Sequence, residues 1–194
     1  MKTVSFDVWG TLLKSNPKFK IAQGNLAKSF TGCDPEDFLR RKSEMKKQLD
    51  EEVESTGNQP DRFKNYKKLF PELNLREINS FIEYSDKLFL KYPPIVIEEG
   101  KQNVDFYKNL GYVILISSNT VFIYGDVLSK IIWDEFEIPI QNCNFSDVVG
   151  SSKPSSEMFK FKVTPTFHIG DNSITDGSCG KVGINFINVY DANI

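Results

Sequence analysis

Short apolar runs recur along this chain, each only a few residues long, and they constrain its fold more than any other feature. Thr3 to Val8 is the first, apolar around Ser5 and Asp7 and broken by Gly10 and Thr11. Tyr112 to Ile116 is a second, Phe145 to Val149 a weaker third, Thr166 to Ile169 a fourth and Asn185 to Val189 a fifth. Runs of this length suit strands covered on both faces, as in parallel sheets. Helical patterns separate them. Glu98 to Leu110 carries Val104, Tyr107 and Leu110 at helical spacing, with Gly111 placed as a C-terminal cap, and Val127 to Phe136 and Ser155 to Lys162 are further helix candidates. Strand and helix in alternation predict a doubly wound, mostly parallel, Rossmann-like α/β sheet.

The stretch between the first two runs is different. It is rich in Lys and Glu and shows helical periods without strands. Asn16-Pro17 and Asp34-Pro35 read as N-caps with proline at the first helical position. Phe38, Met45, Leu49 and Val53 share one helix face; Phe63, Tyr66 and Leu69 form a second stripe, and Ile78, Phe81, Leu88 and Phe89 a third. Residues 14–94 are therefore expected to be an all-helical insert of about four helices, broken at Ser55-Thr56-Gly57-Asn58 and Pro71 and closed by Pro93-Pro94. Residues 1–13 and 95–194 would form the α/β core.

Composition excludes several classes. The 194 residues are 40% hydrophobic, enough for a sizeable core. With 24 basic against 26 acidic residues, nothing in the charge points to nucleic acid or an anionic membrane as partner. No apolar run approaches the ~20 residues of a membrane span, and Asp7 interrupts the only apolar stretch near the N-terminus, so a cytoplasmic protein is expected. Cys33, Cys143 and Cys179 are scattered, without the spacing of a disulfide framework or zinc site, and His168 is the sole histidine, which excludes a multi-histidine metal centre.

Four segments carry possible chemistry, and each ends or follows a predicted strand, where open α/β sheets bind ligands. In Ser5-Phe6-Asp7-Val8-Trp9-Gly10-Thr11-Leu12, a carboxylate closes an apolar strand, a costly position unless it is paired. It can act as a nucleophile or serve as a turn residue. Leu115 to Thr120 places Ser117, Ser118, Asn119 and Thr120 at a strand end, as anion-holding donors or as ordinary turn chemistry. In Gly150-Ser151-Ser152-Lys153-Pro154, a proline fixes the backbone behind Lys153 just before a predicted helix. In His168 to Asp176, Asp171 closes a strand and Asp176 follows five residues on, either as a helix N-cap or as a second acid. Carboxylates are the ligands hard cations prefer, and Asp7 and Asp171 could supply two. His168 is assigned no catalytic role.

Taken in order, the four segments resemble the four motifs of the haloacid dehalogenase-like superfamily. The resemblance covers the core, and the helical insert falls where many members carry a helical cap. It implies a hydrolase with Asp7 as nucleophile, Thr11, Ser118, Asn119 and Lys153 around a phosphate, and Lys153 neutralising charge on nucleophile and substrate. Mg²⁺ would be held by Asp7, Asp171 and the Trp9 carbonyl, with Asp176 reaching it through water. The implied substrate is a small phosphate ester or acyl phosphate. One departure matters: phosphatases of the family usually have a second aspartate, a general acid and base, where this chain has Trp9. The family's metal-independent 2-haloacid dehalogenases tolerate an aromatic there, because halide leaves without a proton. Gly170-Asp171 followed by Asp176 looks instead like the metal-binding version. A low-turnover binding or regulatory protein is a third reading with the same motive. Substrate identity and oligomeric state are not legible. Arg40, Arg41 and Arg62 read as solvated helix faces rather than anion ligands.

Overall fold

The structure, a computed structural model, describes residues 2–191. Five strands form one parallel sheet: β1 (Thr3–Phe6), β4 (Val113–Ser118), β5 (Cys143–Phe145), β6 (Phe167–Gly170) and β7 (Asn185–Asn188). Their order is β5-β4-β1-β6-β7, so β1 lies at the centre between β4 and β6. Phe6 pairs with Ile116 on one side and Ile169 on the other, which brings the ends of β1, β4 and β6 to one edge. This is a mostly parallel, Rossmann-like α/β fold, as the alternation of runs predicts.

β1 alternates, although both of its faces are buried. Val4, Phe6 and Val8 pack in the main apolar core with Ile114, Ile116 and Ile169. Thr3, Ser5 and Asp7 are equally buried, and each finds a polar partner: Thr3 donates to the Thr164 carbonyl at 3.0 Å, Ser5 bonds His168 and Asp7 bonds Lys153. Helices α5 (Glu98–Asn109) and α6 (Gly125–Phe136) supply Val104, Tyr107, Val127, Leu128 and Ile132 to the same core.

Two elements differ from the sequence reading. The valine-containing stretch Phe145 to Val149 is not a strand: β5 ends at Phe145, and a short helix, α7 (Ser146–Val149), follows, closed by Gly150 at φ +78°. Tertiary hydrogen bonds override β-propensity here, since the Asp147 carboxylate binds the Gly125 N–H and the Thr120 hydroxyl. The predicted helix over Ser155 to Lys162 is a 3-10 turn, Ser156–Phe159. Ser117 and Asn144 side chains take the Met158 carbonyl, and Asn144 also takes that of Lys160, so the helix is not extended.

Residues 17–91 form four helices, α1 (Pro17–Thr31), α2 (Pro35–Thr56), α3 (Arg62–Leu69) and α4 (Leu75–Lys91). Asn16 and Asp34 cap α1 and α2 as their sequence predicts, and Asn74 with Glu77 makes a capping box on α4. The chain enters and leaves this segment through a small antiparallel pair, β2 (Leu13–Lys14) with β3 (Ile95–Val96), which the sequence reading did not contain. The four helices have an aromatic core of their own, with Phe38, Tyr66, Phe70 and Phe81 fully buried. Phe122, from the loop after β4, completes it. Among the described residues no helix is long and apolar enough to cross a membrane.

Phe81 is the hub of that second core. Its ring centroid lies 4.9 Å from Phe70, 5.2 Å from Tyr66, 5.7 Å from Phe30 and 6.0 Å from Phe38. Phe81→Ala is expected to cost about 3–5 kcal/mol, measured by urea unfolding. A cost below about 1 kcal/mol would show that the four helices do not share a packed core.

Candidate functional site

The four sequence segments meet at the C-terminal edge of the sheet. Asp7 follows β1, and its N–H donates to the Ile169 carbonyl at 2.8 Å, which sets it beside the end of β6. Asp171 follows β6 directly. Asp176, one turn further, comes back to the same point: carboxylate oxygens of Asp7, Asp171 and Asp176 lie within 4.8 Å of one another. Two glycines make this approach possible. A Cβ on Gly10, itself at φ +83°, would stand 2.2 Å from Asp171 Oδ2, and one on Gly170 would stand 2.2 Å from Asp176 Oδ2.

Lys153 enters this cluster from the loop after α7. Asn119, just beyond β4, clamps its backbone: the Lys153 N–H donates to Asn119 Oδ1 at 2.7 Å, and Asn119 Nδ2 donates to the Lys153 carbonyl at 3.0 Å. The side chain is 2% exposed, so the ammonium must be satisfied by protein. It donates to Asp7 Oδ1 at 2.5 Å, to the Ser117 carbonyl at 2.9 Å and to Asp176 Oδ1. Asp176 also accepts from His168 Nε2 at 3.2 Å and from the Asn172 N–H at 3.1 Å. With Nε2–H donating, His168 Nδ1 accepts from the Ser5 hydroxyl at 2.9 Å. Although Asp176 precedes a 3-10 turn (Gly177–Val182), its side chain caps nothing.

The carboxylates are not equivalent. Burial pushes Asp7 up to about 7; Lys153 opposes the shift, and Asp176 and Asp171 add to it. Asp176 is also buried, but Lys153 and His168 outweigh that and hold it well below the usual carboxylate range. Asp171, half-buried, is raised by burial and by Asp176. Burial alone would lower Lys153, yet Asp176 and Asp7 together raise it. Burial keeps His168 low and therefore neutral.

Three carboxylates against one ammonium leave a formal excess of two negative charges, and the donors are the oxygens Mg²⁺ prefers. Asp7 and Asp171 are the freer pair, because both Asp176 oxygens already accept hydrogen bonds. Asp7 and Asp171 could hold a divalent cation, with Asp176 beside them.

The cluster forms the floor of a cavity of about 710 Å³ whose opposite wall is the helical segment. Asp7, Trp9, Asn119, Lys153, Asp171 and Asp176 line it. Thr11 and Ser118 are fully buried and do not; their hydroxyls have no hydrogen-bond partner among the described residues. Trp9 is half-buried, edge-on to Phe89 of α4 at 6.4 Å.

No protein-family model matches the chain, and no curated protein sequence matches it. Solved structures do. One is a Bacillus subtilis protein, YfnB, described as a HAD-hydrolase and bound to magnesium, at TM-score 0.66 and 16% identity over 95% of this chain and 86% of that one. A HAD phosphatase from Thermococcus onnurineus matches at TM-score 0.64 and 21% identity over 96% and 85%. A 2-haloacid dehalogenase from Pseudomonas syringae pv. Tomato DC3000 matches at TM-score 0.58 and 17% identity over 96% and 85%. The chain has the haloacid dehalogenase-like fold. Phosphatases and dehalogenases both stand among its structural neighbours, so the fold alone does not choose between them.

Two further residues reach this region without a role assigned from the sequence. His168 donates to Asp176 at 3.2 Å. Lys42 of α2 lines the cavity wall; it occupies the gap in the apolar stripe between Phe38 and Met45, a detectable signal. Arg40, Arg41 and Arg62 are absent from the lining. Arg40 and Arg41 pair with Asp37 on their own helix, as a helix-face reading predicts. Arg62 departs from it, being 2% exposed and paired with Asp86.

Gly170→Ala is expected to displace Asp176 and to destabilise the chain by about 1–3 kcal/mol, read by thermal denaturation. Gly180→Ala is the control: a Cβ there meets nothing within 4 Å, and its effect should stay within about 0.5 kcal/mol. Equal behaviour of the two variants would mean that the position of Asp176 is not enforced.

Proposed function

We propose that the chain is a hydrolase, a magnesium-dependent phosphatase of a small phosphorylated molecule, with Asp7 as nucleophile and residues 14–94 as a helical cap over the site. The observation that carries this reading is the convergence of Asp7, Asp171 and Asp176 around the Lys153 ammonium on the floor of one cavity. The magnesium-bound Bacillus subtilis neighbour supports the same assignment. When bound, Mg²⁺ supplies charge neutralisation to the transferring phosphoryl oxygens.

Asp7 Oδ1 accepts from Lys153, and a carboxylate oxygen of Asp7 is the attacking atom. Attack forms an Asp7–phosphorus bond and breaks the bond from phosphorus to the leaving oxygen; water then adds to the aspartyl-phosphate, releasing phosphate and regenerating the carboxylate. Lys153 compensates charge on Asp7 and on the phosphoryl group through both steps, a preorganised role that needs no proton transfer. Asn119 fixes where Lys153 stands. Ser118 and Thr11 do not line the cavity, but their buried hydroxyls have no partner among the described residues, and they are proposed as further phosphate contacts.

Trp9 sets the chemical range. Proton transfer to a leaving group is worth ~10²–10⁴-fold in rate, and an indole in that place cannot provide it. Aryl and acyl phosphates, whose leaving groups depart as anions, are therefore the expected substrates, and simple alkyl phosphates the poor ones. The same residue favours a second reading, a 2-haloacid dehalogenase in which Asp7 attacks carbon and halide departs. The three-carboxylate cluster weighs against it, because a metal-independent displacement gives Asp171 no task.

Hydrolysis of an aryl phosphate is expected to stop on addition of EDTA, to return with Mg²⁺, and to fall by about 10³-fold or more in Asp7→Asn. Activity that survives both treatments would overturn the phosphatase reading, and halide release from a 2-haloacid in EDTA would replace it with the second.

Mg²⁺ should also stabilise the fold in a pH-dependent way. The carboxyl of Asp7 ionises near 3.8 when unfolded and at about 7 when folded, so the unfolded state loses its proton first and stability falls as pH rises through that window. A bound cation cancels this loss. The increase in Tm on adding Mg²⁺ is expected to be larger at about pH 8 than at about pH 5; an increase independent of pH would place the ion elsewhere.

A further inference from the structure

Lys42 stands in the apolar stripe of α2, four residues after Phe38 and three before Met45. A lysine on that face is unusual, and its surroundings fix its position without supplying a counter-charge. The ammonium donates to Gln23 Oε1 at 2.5 Å and lies over the rings of Phe122 at 4.8 Å and Phe19 at 5.8 Å. Gln23 is turned to receive it, because Gln23 Nε2 is used on Ser85 Oγ at 2.6 Å and Tyr66 Oη at 3.2 Å. An amide and two aromatic faces fix the position of a cation but supply no counter-charge.

Two of the neighbouring cations are matched: Lys46 pairs with Asp50, and Arg62 with Asp86. Lys20, on the same cavity, has no ion pair among the described residues. Among the described residues no ion pair includes Lys42. Lys42 is half-buried; desolvation, with the like charges of Arg62, Lys20 and Lys46, lowers it from the ordinary lysine range, and an anion at its side reverses that balance.

Lys42 lines the same cavity as Asp7 and Lys153. An aromatic wall connects the two regions: Trp9 meets Phe89 at 6.4 Å, Phe89 meets Phe19 at 5.3 Å, and Phe19 underlies Lys42. The cavity therefore has the acidic cluster at one end, a fixed lysine without a counter-ion on the helical wall and aromatic side chains between them.

We infer that Lys42 binds a second anionic group of the substrate, a carboxylate or a phosphate remote from the reacting centre, so that the substrate is a small molecule with two anionic ends. This deepens the phosphatase reading and rests on its assignment of the floor to the phosphoryl group.

Three non-hydrolysable probes test it by calorimetric titration of the full chain in Mg²⁺: propylphosphonate with one anionic end, 3-phosphonopropionate with an added carboxylate, and propane-1,3-bisphosphonate with a second phosphonate. A two-ended probe is expected to bind about tenfold or more tightly than propylphosphonate, and which of them does so identifies the group. Lys42→Met should abolish that preference and Lys42→Arg retain it, with thermal melts checking that both variants fold. Equal binding of all three probes to the wild-type chain, or a preference that survives in Lys42→Met, overturns the inference while leaving the phosphoryl site intact. Lys42-dependent binding of two-ended probes without any propylphosphonate binding would leave an anion site at Lys42 but remove the phosphoryl floor, and with it the two-ended substrate. Binding of no probe overturns both.

Discussion

The buried ammonium of Lys153 is the constraint on which the site is built. An isolated charge at that depth would cost several kcal/mol, and it is tolerated because Asp7, Asp176 and the Ser117 carbonyl converge on it from three different strand ends. The dependence is mutual. Without the ammonium, carboxylates from β1 and from the turn after β6 would face one another across the sheet edge with nothing between them. The ion cluster therefore fixes the relative placement of β1, β4 and β6 at the end where the sheet carries its polar groups. The apolar side chains of the same strands fix it from the other face.

Hydrogen bonds tie the helical segment to the same loops. Ser152, the residue before Lys153, donates its N–H to the Gly57 carbonyl at 2.8 Å and its hydroxyl to Gln59 Oε1 at 2.9 Å. Gln59 Nε2 in turn donates to the Thr120 carbonyl at 2.7 Å, and Asn172 Nδ2 reaches Glu54 at 3.0 Å. The end of α2 and the chain just after it thus touch the loops after β4, α7 and β6. The position of α2, and with it Lys42, is set by the loops that carry Asn119, Lys153 and Asp171.

Much of this was legible because strand ends are marked by chemistry that burial forbids elsewhere. Asp7 and Asp171 each close an apolar run, and a carboxylate in such a place calls for a partner. The helical segment was legible for a different reason: proline after Asn16 and Asp34, and stripes at helical spacing, are local signals that tertiary structure did not override. The short elements were not, since side chains of distant residues decide them: Asp147 acting on Gly125, and Asn144 on Met158. His168 was legible only as a buried ring. Its use depends on Ser5 and Asp176, which the sheet register brings to its two nitrogens. Lys42 was visible as the polar residue that breaks an apolar stripe, but the pattern alone cannot distinguish a lysine snorkelling to solvent from one turned into a cavity.

Trp9 and Lys42 make better sense together than apart. On the proposed reading, an indole at position 9 weakens the chemistry of poor leaving groups, yet it also extends the aromatic surface through Phe89 to Phe19. Apolar rings of this kind lower the local dielectric beside them, which strengthens charge interactions made there. On the proposed reading, the energy of holding an anionic tail at Lys42 becomes available for orienting the reacting group over Asp7. A site without its own acid then has to draw more of its rate from position and electrostatics and less from proton transfer. That division of labour suits substrates whose leaving group departs as an anion.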